Sequence, residues 1–202
     1  MSSSTEVGAA WTRTVEPTVW AISLAEAKAQ ARIVDDNSNS LITSYIRTAQ
    51  DECERYMGRG VTTQTWKLSL DYFANIIPLP MAAPLQSVTS VKYYDTDGVQ
   101  QTLATSYYDT DAVSEPARLV LKPEQSWPTV QSDRRNGTVE IVYVVGYSTV
   151  SAVPESIKQG LRLYVTYLDL DRDGMHEGAD RARQAAMHCW SDRVYWTPPT
   201  WG

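Results

Sequence analysis

Residues 136–173 read NGTVEIVYVVGYSTVSAVPESIKQGLRLYVTYLDLDRD and join a strand-like run to the most apolar helical pattern in the chain. Asn136 and Gly137 signal a tight turn, because both tolerate the positive φ that a hairpin needs. The alternation over 138–145 predicts a strand, which Gly146 and the polar 148–151 interrupt. Pro154 stands where a first helical turn lacks N–H partners anyway. From there Ile157, Gly160, Leu161, Tyr164, Val165 and Leu168 recur at helical spacing, opposite one narrow polar stripe of Glu155, Lys158, Gln159, Arg162, Thr166 and Asp169. Leu163, Tyr167 and Leu170 make the remaining sides apolar too. An ordinary surface helix hides one face, whereas this one must hide most of its circumference. It is either a central core helix or a helix packed on its own domain and on a neighbour.

Working outward toward the amino terminus, the pattern changes twice. Residues 61–150 alternate in short runs: Trp66, Leu68 and Leu70 against Lys67, Ser69 and Asp71, then 88–93, an Asp97-Gly98 turn into 99–103, and 107–110, 118–121 and 138–145. That is a β insertion. Before it, residues 23–60 are helical. Ser23 and Glu26 form a capping box, and Ile42, Tyr45, Ile46, Ala49, Cys53, Tyr56 and Met57 trace an amphipathic helix that Gly58 and Gly60 end. Residues 1–22 predict an irregular arm anchored by Trp11 and Trp20. Residues 151–194 return to helix, with Ala182, Ala185, Ala186, Cys189 and Trp190 marking a last amphipathic segment. The tail 195–202 is aromatic and proline-rich. The expected class is α+β: a small helical bundle, an inserted antiparallel β unit and two extended arms.

Composition narrows the function. The 202 residues are 43% hydrophobic and 21% charged, which is globular usage, and the net charge of −6 lacks the basic footprint of a sequence-reading nucleic-acid binder. It allows a protein that encircles DNA and lets it slide. Two cysteines, Cys53 and Cys189, fit a reducing cytoplasm and not a disulfide framework. The start MSSSTEVGAAW has neither the basic nor the apolar region of a signal peptide, and prolines cut the longest apolar stretch, 74–85, so no membrane span is expected.

Candidate chemistry is sparse. Asp169, Asp171, Asp173, Gly174 and Asp180 reproduce part of a calcium-loop rhythm, but Asp180 is too short for the bidentate twelfth ligand and His176 sits where an apolar residue is usual. An acidic interhelical turn explains the same residues more simply. His176 and His188 belong to no zinc or nucleophile motif, and Asp109 with Asp111 is the kind of carboxylate pair that β turns commonly carry. No cofactor and no catalytic residue is expected. Arg134 and Arg135 form a basic hairpin tip that could meet channel DNA or an acidic partner. Five of seven tryptophans lie near the ends: Trp11, Trp20, Trp190, Trp196 and Trp201. Together with Tyr195 they are candidate partner-binding residues, since tryptophan dominates interface hot spots and termini are usually polar. The alternative is that both arms fold back on the core.

The segments SLAEAKAQARIVDDNSNSLITSYIRTAQDECERYMGR, TTQTWKLSLD, LPMAAPLQSVTSVKYYDTDG and VYVVGYSTVSAVPESIKQGLRLYVTYL follow one another as they do in a known family. Over about 23–172 the chain resembles the head–tail connector (adaptor) proteins of long-tailed bacteriophages, in the subfamily with a β insertion in the helical core. The resemblance implies a structural virion protein of the neck, assembled in host cytoplasm. It implies a ring, commonly dodecameric, docked beneath the portal and continuing the DNA channel toward a stopper or tail-terminator protein. The DNA would pass without being read. Two other classes compete: a calcium-dependent binding module using the 169–180 loop, and an aromatic-lined β-sandwich that cleaves or binds sugars.

Overall fold

The structure, a computed structural model, describes residues 8–134, 137–172 and 178–194. It divides into a helical unit, built from 17–62 and 147–194, and a β unit, built from 8–16 and 63–146. In chain order the elements are β1 (Ala9–Val15), α1 (Leu24–Ala31), α2 (Asn39–Met57), β2 (Gln64–Leu70), β3 (Ile76–Pro78), β4 (Leu85–Tyr94), β5 (Gln100–Thr102), β6 (Tyr108–Asp111), β7 (Arg118–Leu121), β8 (Val139–Val145), α3 (Glu155–Leu170) and α4 (Ala179–Ser191). The expected α+β class holds.

In the helical unit, Ser23 caps α1. The Ser23 N–H and hydroxyl donate to one Glu26 carboxylate oxygen at 2.8 and 2.7 Å, while the Glu26 N–H donates back to the hydroxyl at 3.2 Å. Helix α1 is short and ends at Arg32, which takes a left-handed conformation with φ 58°. Gly58, with φ 69°, ends α2 where glycine is the residue that adopts this conformation without strain. The apolar faces of α1, α2, α3 and α4 meet in one core of Ala27, Ile42, Ile46, Ala49, Cys53, Met57, Ile157, Leu161, Val165, Ala186 and Trp190.

In the β unit, five strands order as β1-β2-β8-β4-β5 and three as β3-β7-β6, every pairing antiparallel. Strand β8 lies at the centre of the large sheet. Its Val139, Ile141, Tyr143 and Val145 are buried and alternate with half-buried residues, as a one-faced strand should. The turn before it does not make a hairpin: β8 pairs with β2 and β4, from far earlier in the chain. Both sheets contribute to one core, Leu68, Leu70, Val91, Val139, Ile141 and Tyr143 from the first, Ile77, Tyr108 and Leu119 from the second. The Tyr143 hydroxyl is satisfied there by the Pro80 carbonyl at 2.8 Å.

One expectation needs correcting. Residues 9–15 are not an irregular arm but a seven-residue strand at the edge of the large sheet, in register Ala9–Leu70, Trp11–Leu68 and Arg13–Trp66. The β unit therefore includes residues from before the helices as well as the stretch between them.

Candidate functional site

Helix α3 resolves the choice left open above. It packs against α1, α2 and α4, and from Ile157 to Asp169 none of its residues is fully exposed. Its nearly all-round apolar character is that of a central helix. Its polar stripe is used as well. Arg162 donates to Glu155 at 2.6 Å and to Glu26 at 2.9 Å, tying the start of α1 to the centre of the bundle. Bonds from the Ser23 backbone, from Arg162 and from the Ser23 hydroxyl hold the Glu26 carboxyl down to about 2.

Trp190, expected among the partner-binding residues, is corrected. It is fully buried in its own core, stands between Tyr56 and Tyr164, and donates Nε1 to the Ile157 carbonyl at 3.3 Å. Gly160 makes room for it: a Cβ there would lie 2.1 Å from Trp190 Nε1 and 2.7 Å from Cε2. Bulk and a buried N–H needing one acceptor decide the matter. The terminal position of Trp190 pointed the wrong way, and the signal that could have corrected it is Gly160, a small residue on an otherwise bulky helix.

The other sequence candidates are scattered. Trp11 is 42% exposed on β1, in the β unit. Trp20, in the helical unit, is partly buried, with the Arg47 guanidinium 5.5 Å from its ring centroid. Arg134 stacks its guanidinium over Tyr94 at 3.6 Å, and its carbonyl accepts the Thr138 hydroxyl at 2.9 Å. Arg135, Tyr195, Trp196 and Trp201 lie outside the described residues.

The acidic loop is partly placed. Asp169 is engaged by Arg172 one turn on, Asp171 closes α3 with its N–H on the Tyr167 carbonyl at 2.9 Å, and Asp180 opens α4. Asp173, Gly174 and His176 lie outside the described residues, and among the described residues no group of three metal-ligating side chains converges. Asp109 and Asp111 are not a paired acid and base. Asp111 accepts from Ser114 and from Arg118 Nε at 2.8 Å, which holds its carboxyl far below the usual range, and Asp109 faces Lys122 at 3.6 Å. Cys53 is fully buried, and burial raises its thiol pKa, so it is inert core.

Sequence reasoning missed two features. Gln50, buried mid-helix, accepts the Ala21 N–H at 3.0 Å and donates to Glu54 at 3.2 Å and Thr62 at 2.8 Å, with Glu54 taking the Val61 N–H at 2.9 Å. This set pins the segments before and after the helical hairpin to α2. The second feature is the outer edge of β1. Among the described residues it has no strand beside it, and behind it a cavity of about 440 Å³ opens, lined by Gly8, Ala9, Ala10, Lys67, Ser69, Asp71, Gly137 and Glu140.

The charged groups singled out by sequence are mostly held by internal counter-charges or aromatic rings. The fold is α+β, with β1 at an edge of the large sheet and Trp11 part-exposed on it. The comparisons agree with that class. Residues 21–114 match the family model described as Phage gp6-like head-tail connector protein, so the resemblance read from the sequence is borne out over α1 to β6. No curated protein matches the chain in sequence. Among solved structures, the fold is similar to a chain of the "Neck of empty GTA particle computed with C6 symmetry", at 20% identity and TM-score 0.74, covering 96% of this chain and all of that one. It is likewise similar to a chain of the "Virion of native gene transfer agent (GTA) particle" (20% identity, TM-score 0.70, 93% and 97% covered) and of the "Neck of native GTA particle computed with C12 symmetry" (20% identity, TM-score 0.65, 94% and 100% covered).

Proposed function

We propose that this protein is a structural head–tail adaptor of a virion neck, forming a ring beneath the portal and continuing the DNA channel toward the next neck or tail component. The observation that carries the reading is the connector-family match over 21–114, on a fold shared along nearly the whole chain with chains from neck and virion particles. A net charge of −6 suits a channel wall that releases passing DNA, since a tight grip requires many cationic phosphate contacts. Ring closure needs a heterologous contact between copies, repeated by rotation until it meets itself. Trp20 on the helical unit and Trp11 on the β unit are two described aromatics offered for such a contact. The tail Tyr195–Gly202 is proposed as the portal-docking peptide. Trp196 and Trp201 would be its anchors, and Pro198-Pro199 limits the entropy lost on binding. The test is direct: mix the protein with the portal of its own particle and image the complex. A ring seated on the portal is expected, and particles that remain bare portal beside free monomer would sink the proposal.

A further inference from the structure

We infer that the loop joining α1 to α2 is a docking knob, and that its socket is the Val19–Trp20–Arg47 surface of a second copy of this chain. The inference rests on the adaptor reading for its ring and names the contact that closes it.

The knob is shaped by the residues around Lys28. Arg32 turns left-handed at the end of α1, after which Ile33 packs against the helical core and Val34 points outward, 98% exposed. The Lys28 ammonium holds the loop in that shape. It donates to the Asp35 carbonyl at 2.6 Å, to the Asp36 carboxylate at 2.8 Å and to the Asn39 side-chain oxygen at 2.9 Å. The Ser38 N–H donates to the Asp35 carboxylate at 3.2 Å. A loop braced in this way has little freedom left to lose on contact. Lys28 pairs with Asp36, and among the described residues no cation pairs with the Asp35 carboxylate beside Val34.

The socket carries the matching groups. Arg47 is exposed on α2 with its guanidinium 5.5 Å from the Trp20 ring centroid, and among the described residues no carboxylate pairs with it. Val19, next to Trp20, is 55% exposed. The segment that bears them is fixed, because the Ala21 N–H donates to Gln50 at 3.0 Å. A single exposed valine needs no explanation. Here an exposed valine with a carboxylate at its side faces, on the other surface, an exposed valine and indole with a guanidinium at theirs. The exposed valines of the β unit do not qualify as sockets. Val99 follows Asp95 and Asp97, and Val113 lies between Asp111 and Glu115, so each would set carboxylates against Asp35.

Knob and socket lie at different points of one helix, the loop at the start of α2 and Arg47 about two turns along it. Asp35 and Arg47 of one chain are not paired with each other. Joined between copies they make a heterologous contact, the kind that rotation repeats around a ring.

The experiment is disulfide capture on the full chain in a Cys189→Ser background, where the remaining Cys53 is buried. Val34→Cys and Val19→Cys variants are mixed under air, with and without the portal of the particle. The mixture should give a cross-linked dimer that neither variant gives alone, and both substitutions in one chain should give a ladder of multimers. Arg47→Glu in the Val19→Cys partner should cut the yield at least about fivefold, and Asp35→Arg in the Val34→Cys partner likewise. The two reversals together should restore it, with circular dichroism unchanged throughout. No cross-link in either condition, cross-linking by one variant alone, or no recovery in the reversed pair overturns the contact. A ring seated on portal without the cross-link overturns this inference and leaves the adaptor reading in place. A cross-link with no ring on portal upholds the contact and sinks the adaptor reading.

Discussion

At the scale of single residues, the contact between Gly160 and Trp190 offers the sharpest test. Trp190→Ala empties a fully buried indole site and should cost about 3–5 kcal/mol in chemical denaturation. Gly160→Ala gains about 1 kcal/mol of helix propensity, but its methyl meets the indole at 2.1 Å and the overpacking costs about 1–3 kcal/mol. The clash wins while Trp190 is present. In the Trp190→Ala background the clash is gone, so the same Gly160→Ala change should become neutral or stabilising. Additive single and double variants would show that the two residues do not share a site. Glu26 makes a separate prediction about pH. Its folded pKa of about 2 lies below the ordinary 4.5, so the stabilisation is complete above pH 4.5, declines as pH falls, and is gone below about 2. Glu26→Gln should flatten the stability–pH curve across that window and leave its shape at neutral pH unchanged.

Among elements, those with a strong period or a local chemical signature were legible from the sequence. Helix α2 has a continuous apolar stripe and a glycine stop, and the Ser23–Glu26 box is a short-range motif that forms as written. Strands β7 and β8 show clear β patterning. Strand β1 was not legible because edge strands lack a neighbour on one side, so one row stays exposed and the pattern weakens. The partners of β8 were not legible either, since a turn signal announces a local hairpin and cannot announce pairing with strands formed far upstream. For the site, Trp190 shows that position in the chain is a poor guide when bulk and a facing glycine say otherwise. The 169–180 loop carries its own test. Asp169 already has Arg172 as a partner, so millimolar calcium should leave the melting temperature unchanged. A rise that Asp171→Ala removes would restore the calcium module.

For the whole molecule, the consequential variant is removal of 195–202. The proposed role in portal docking expects unchanged circular dichroism and melting with loss of co-purification with portal, and the loss should be steep because every copy in a ring contributes one anchor. Early melting with retained portal binding would instead make the tail part of the subunit's own packing. The buried Gln50 set gives the complementary control. Gln50→Leu strands the Ala21 N–H in the interior and removes one donor from the Glu54 carboxylate, which should cost about 1–3 kcal/mol and leave a portal-bound fraction that falls only with the folded fraction.

Strand β8, at the centre of the large sheet, is also the last of its strands to be synthesised. In the sheet β2 and β4 are each bonded to β8 and not to each other, and α1 and α2, though they touch, complete their core only against α3 and α4. The order of translation therefore runs against the order of assembly. While the middle of the chain is being made, β2 has only the edge strand β1 to pair with and β4 only the three-residue β5, so each leaves the ribosome with one edge unpaired, a state that invites chaperone capture or aggregation. Nascent chains stalled before residue 139 should be protease-sensitive throughout, and resistance should arise in two late steps, after β8 and again after α4. A protein of this design matures abruptly, once β8 and then α4 have been made, so competent subunits appear late and all at once.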